Sequence, residues 1–100
     1  MYKDNGEFSE NTEEENWDVD KLILEGEEFE ESGDFLSAAQ RFNQAALILL
    51  ESEKHERAVD CCLRALKNYE KIGDEKGIAD TSYNLCIAFS NLGKHENAIS

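Results

Sequence analysis

Every twenty residues this chain returns to the same kind of residue at the same place. Turn-forming groups recur as GDF at Gly33, EKH at Glu53, GDE at Gly73 and GKH at Gly93. Between them, Leu22, Phe42, Cys62 and Ser82 share one slot, and Gly26, Ala46, Leu66 and Cys86 share a second. Phe29, Leu49, Tyr69 and Phe89 share a third slot, which is always bulky. Within a segment the slots lie four and three residues apart, the spacing of one helical face. The longest echo, KHERAVD from Lys54 against KHENAIS from Lys94, has a period of 40 residues. Segments of this length are marginal as isolated helices and must bury their apolar faces on neighbours. The chain is therefore restricted to a series of short helices joined by tight turns.

The pattern predicts helices at about 18–32, 35–52, 56–72 and 76–92, with a fifth beginning near 95. No proline interrupts them. Asp18 is the expected cap of the first, with Trp17 packed on Leu22 as a hydrophobic staple. Gly33, Gly73 and Gly93 follow apolar runs, where a left-handed helix stop is expected. Asp34 and Asp74 come next and are good starters for the following helix. The second helix is apolar nearly all round, from Phe35 through Phe42 to Leu47 and Leu50, as suits a helix sandwiched between two others. Ala38, Ala58 and Ala98 occupy equivalent places and are expected to be close contacts between helices. Cys62 and Cys86 fall in core slots and read as small hydrophobes.

Charge divides the chain. Of its 23 acids, fourteen fall in residues 1–34 against Lys3 and Lys21, so that part carries −12 of the net −13. The first sixteen residues hold six acids and one lysine, with Tyr2 and Phe8 their large apolar groups. Such a stretch buries too little surface to offset its ordering entropy. Residues 1–16 are therefore expected to be a disordered acidic tail, and 17–100 one small helical domain. A strongly acidic front repels phosphate backbones and anionic headgroups, which argues against nucleic acid or a membrane surface as partner. The apolar run Ala45–Leu50 is far shorter than the roughly eighteen residues of a membrane span, so no direct membrane insertion is expected. The acidic N-terminus does not read as a secretory signal. Three cysteines, two of them adjacent, point to reduced thiols in a cytoplasmic compartment.

No catalytic constellation can be assembled. Cys61 and Cys62 project about 100° apart on a helix, which is poor geometry for one metal. A glycine-rich phosphate loop needs a strand before it, and none is predicted. His55 and His95, each opening a predicted helix, read as residues that pack and bond locally. A non-enzymatic protein without metal or cofactor is the expectation.

GEEFEESGDFLSAAQRFNQA places Gly26, Phe29, Gly33, Asp34, Phe35, Ala38, Phe42 and Ala45 at the spacing of the tetratricopeptide repeat (TPR). YNLCIAFSNLGKHENAI repeats it with Leu85, Cys86, Phe89, Gly93, His95 and Ala98. Over residues 18–100 the chain thus resembles the TPR family. Its period of 40 residues departs from the usual one of about 34, and the closing proline is missing. It looks like the longer-period variety. AAQRFNQAALILLESEKHERAVDCC is also similar to the soluble NSF attachment protein (SNAP) type of TPR-like solenoid. The resemblance implies an all-α fold, a right-handed solenoid of antiparallel helix pairs, with four helices and the start of a fifth. The second helix matches both the second member of one pair and the first member of the next. The register favoured here pairs helices two with three and four with five.

In that family the first helix of each pair lines a concave groove that holds an extended or helical peptide. The resemblance then assigns the groove to Gln40, Asn43, Gln44, Leu47 and Glu51 of the second helix and Asp80, Tyr83, Asn84, Ile87 and Asn91 of the fourth. Five of these ten are amides, and an amide offers a donor and an acceptor to a peptide backbone. Asn84 matches the asparagine that longer-period relatives use in this way. None of the ten is basic, which argues against the clamp for acidic C-termini found in some relatives. The implied function is an adaptor or scaffold module for a protein or peptide client. The alternative is a SNAP-like coupling protein that docks an ATPase onto a helical assembly. Ala98 and Ile99 continue a core-facing pattern, so either a longer repeat protein or self-association through that end is expected.

Overall fold

The computed structural model describes the backbone of residues 3–99 and the side chains of 18–94. Among the described residues it is all helical: α1 (Lys3–Ser32), α2 (Phe35–Glu51), α3 (His55–Ile72) and α4 (Glu75–Ile99). Each helix packs on the next in the chain, and α2 and α4 also approach one another in backbone.

The twenty-residue frame is written into the turns. Gly33, Glu53 and Gly73 adopt left-handed φ angles of 85°, 62° and 69°. At the three turns the N–H groups of Asp34, Lys54 and Asp74 donate to the carbonyls of Phe29, Leu49 and Tyr69, at 2.9, 2.9 and 3.1 Å. These acceptors are the bulky third slot, so one bond closes each helix and pins a core residue at the same place. Two turns are also capped: Asp34 accepts from the Ser37 N–H and Asp74 from the Gly77 N–H, both at 3.1 Å. Lys54, at the third, supplies no side-chain cap.

Three expectations are corrected. α1 extends N-terminally past Asp18, which therefore lies inside the helix and is not its cap. Trp17 and the side chains of the acidic segment 1–16 lie outside the described residues. Gly93 does not stop a helix: α4 runs through it to Ile99, and no separate fifth helix begins near 95. Glycine tolerates a left-handed turn without requiring one, and here the helical ladder continues. Cys86 is exposed, not a core residue, because among the described residues no helix covers that side of α4.

The core lies between successive helices in two clusters. One joins Val19, Ala45, Ala46, Leu49, Ala58, Cys61, Cys62 and Ala88; the other joins Ala38, Ala39, Phe42, Ala65 and Tyr69. Ala38 and Ala58 are wholly buried, as expected for close contacts; Ala98 lies outside the described side chains. Two glycines set the closest approaches. A Cβ on Gly26 would stand 2.8 Å from Phe42 Cζ, and one on Gly77 would stand 2.3 Å from Tyr69 Cδ1.

Alternate helices are joined by polar side chains. Arg57 donates to Asp20 at 3.0 Å, Arg64 to Glu27 at 3.1 Å, and the buried Asn68 to Glu30 at 2.7 Å, linking α3 to α1. Asn84 donates to Asn43 at 3.2 Å, linking α4 to α2. These partners lie 37 to 41 residues apart in the chain, close to the period of the sequence echo.

Candidate functional site

α2 is held on one side by α1 and on another by α3, which leaves one long stripe uncovered. Gln40, Gln44, Leu47 and Glu51 lie on that stripe and are exposed, while Asn43 at its edge is half-buried. The spacing of three and four residues places them together on one face. α4 presents Asp80 and Tyr83 exposed, with Asn84, Ile87 and Asn91 half-buried.

The two stripes meet at Asn43 and Asn84. The Asn84 Nδ2 donates to Asn43 Oδ1 at 3.2 Å, and each amide keeps hydrogen-bonding capacity beyond that bond. On either side stand two large apolar groups that water reaches: Leu47 is 44% exposed and Tyr83 68%. A buried, packed face would not leave a leucine and a tyrosine in this condition while alanines elsewhere are fully covered. Glu51 and Asp80 add negative charge to the same stripes.

A hollow of about 330 Å³ runs along the flank of α4, lined by Tyr83, Cys86, Ile87, Ser90, Asn91 and Lys94. Tyr83, Ile87 and Asn91 were assigned from the sequence, whereas Cys86, Ser90 and Lys94 were not. Their signal was present: Cys86, Ser90 and Lys94 fall three residues after Tyr83, Ile87 and Asn91 respectively on the same helix. Lys94 thus brings a base beside a face whose ten assigned positions have none. A second hollow, of about 390 Å³, lies where the α2–α3 turn faces Leu92 of α4, and is lined by Glu53, Lys54, His55, Glu56 and Arg57. It is apart from the amide face. His55 is half-buried at the start of α3, and His95 lies outside the described side chains.

The thiols behave differently from one another. Burial pushes Cys61 and Cys62 up to about 11 from 9.0, with the Asp60 carboxylate adding to the effect at Cys61. Both stay protonated at neutral pH and are poor nucleophiles. Among the described residues no helix is long and apolar enough to cross a membrane, and no three His, Cys, Asp or Glu side chains cluster as a metal site would.

Comparison with protein families, with curated proteins and with solved structures finds no match to the chain.

Proposed function

We propose that this chain is a protein-interaction module of the TPR type, a helical solenoid whose α2–α4 face receives a peptide or helix from a client protein. The reading is carried by the Asn84–Asn43 bond. It joins two amide-bearing stripes, on helices separated by a whole helix in the chain, into one surface. The repeated turns at Gly33, Glu53 and Gly73, the alternation of cross-links between α1 and α3 and between α2 and α4, and the TPR-like spacing of Gly26, Phe29, Ala38 and Phe42 support the solenoid.

The chemistry of the face suits an extended segment with its own backbone groups to satisfy. Amides can meet a peptide N–H and carbonyl whatever the side chains, while Leu47 and Tyr83 supply apolar anchors. With Glu51 and Asp80 on the stripes, the preferred client is neutral or basic, and acidic tails are rejected.

A peptide-display selection on the purified chain tests this. Enriched peptides should be neutral or basic. Their affinity should fall by about tenfold or more when Gln44 and Asn84 are both replaced by alanine, a loss of ~1–3 kcal/mol. The thermal midpoint of that variant should stay within a few degrees of the parent. A selection that enriches nothing, or peptides indifferent to both substitutions, would remove the reading.

A further inference from the structure

The face of α4 that looks away from α3 has a covered counterpart within the same chain. Ala39, Phe42, Ala46 and Leu49 of α2 are buried, in clusters shared with Ala58, Cys62, Ala65 and Tyr69 of α3. Forty residues on, the equivalent positions of α4 are Ala79, Ser82, Cys86 and Phe89, and all four are exposed, Phe89 by 53%. The covering helix α3 carries three small residues followed by an aromatic: Ala58, Cys62, Ala65, then Tyr69. The open face of α4 carries the same order: Ala79, Ser82, Cys86, then Phe89. It therefore combines the position of a receiving face with the residue pattern of a covering one.

We infer that this face is an isologous interface, covered by α4 of a second copy of the chain running antiparallel to it. A single register satisfies every position. With the two-fold axis crossing the open face at the height of residue 84 along the helix, Phe89 of each copy lies over Ala79 of the other, and Ser82 over Cys86. Large meets small at both ends, as Tyr69 meets Ala38 and Ala39 inside the chain. In the same register Glu75 of each copy falls beside Lys94 of the other, so opposite charges close both ends. A surface that complements itself about a two-fold axis is the requirement for a closed dimer. The overall charge allows it: residues 1–34 carry −12 of the −13, and α4 is the helix remote from them in chain order. Phe89, 53% exposed, is the anchor that gains most from burial. The inference does not rest on the Asn43–Asn84 bond, although the interface borders the client face along the hollow that Cys86 and Lys94 share with Tyr83 and Ile87.

Sedimentation equilibrium of the full chain, in reductant so that no disulfide contributes, reads the outcome from micromolar to near-millimolar concentration. A reversible monomer–dimer equilibrium is expected. Phe89→Arg and Ser82→Arg should each weaken it by more than about tenfold, with the helical circular dichroism unchanged, because both positions are exposed in the monomer. Glu75→Lys should weaken it and Glu75→Lys with Lys94→Glu should restore it, which fixes the register. Leu47→Arg on α2 should leave dimerisation unaltered while harming peptide capture, so the two readings fail separately. A parent that stays monomeric throughout, including one that instead captures a peptide spanning α3, overturns the inference. So does a dimer indifferent to Phe89→Arg.

Discussion

Asn84 and Asn43, 41 residues apart, share a hydrogen bond of 3.2 Å that brings α4 alongside α2. The bond lies at a partly exposed edge, so its contribution to stability is small, on the order of 0.5–1 kcal/mol. Asn43→Ala and Asn84→Ala are each expected to lower the urea midpoint slightly, and the double variant little more than either single. Additive losses in that double-mutant cycle would mean the two amides act independently.

Positions 53 and 93 occupy the same place in the frame, yet opposite substitutions, to glycine at 53 and away from glycine at 93, should both stabilise. Glu53 holds φ 62° without being glycine, a conformation that costs an ordinary residue roughly 1 kcal/mol. Glu53→Gly should therefore stabilise by several tenths of a kcal/mol up to about 1, as relief of strain outweighs the entropy of glycine. Gly93 sits within helical α4, and a Cβ there meets nothing within 4 Å. Gly93→Ala should stabilise by ~0.5–1 kcal/mol. A destabilised Gly93→Ala would show that a left-handed turn exists at 93 after all.

Gly77→Ala and Gly26→Ala should instead destabilise. Each new methyl would collide with an aromatic ring that is itself packed, Tyr69 or Phe42. Overpacking of this kind costs roughly 1–3 kcal/mol, more than the gain in helix propensity. Thermal melts of the alanine series at Gly26, Gly77 and Gly93 should separate the first two from the third.

Much of the fold was legible because it rests on local chemistry repeated at a fixed interval. The stops at Gly33 and Gly73, the caps at Asp34 and Asp74 and the burial of Phe42, Ala38 and Ala58 all follow from spacing and residue type. Gly93 misled for a physical reason. The letters around it match those of a turn, but a turn forms only where the next helix folds back and packs, which glycine by itself does not compel. Cys86 misled similarly: its slot is a core slot in α2 because α3 covers it, and the same slot in α4 is uncovered. The joined amides Asn43 and Asn84 could be placed on one face from the sequence, while the bond between them needed the separation of two helices. Lys94 lies past residue 92, the expected end of the fourth helix, and joins this face only because α4 continues to Ile99.

Asn68 is wholly buried and donates both to Glu30 at 2.7 Å and to the Arg64 carbonyl at 2.9 Å. Asn68→Ala removes the donor that holds the Glu30 carboxylate and opens a gap between α3 and α1. A loss of about 2 kcal/mol is expected in urea unfolding. The neighbouring Arg57–Asp20 pair is exposed at both ends, and Arg57→Ala should change stability by under about 1 kcal/mol.

The thiols make stability depend on alkaline pH. The folded chain holds the protons of Cys61 and Cys62 up to about 11, against 9.0 for ordinary cysteine. The unfolded state therefore releases protons first, and stability falls as pH rises between those values. Below pH ~9 the contribution is fully present; by pH ~11 it is lost, about 1–3 kcal/mol in all after allowing for screening. A Cys61→Ala, Cys62→Ala variant should show a flatter profile over that range. At neutral pH a thiol reagent should label Cys86 at once and the other two only on unfolding.

The most direct test of a client-binding face on α2 and α4 is amide chemical-shift mapping of the labelled chain during titration with a display-selected peptide. The shifts should concentrate on Gln40–Glu51 and Asp80–Asn91, strongest at Gln44, Asn84 and Tyr83, and leave α3 near its starting values. Shifts confined to α1 and α3, with Asn43 and Asn84 unmoved at saturation, would contradict the account.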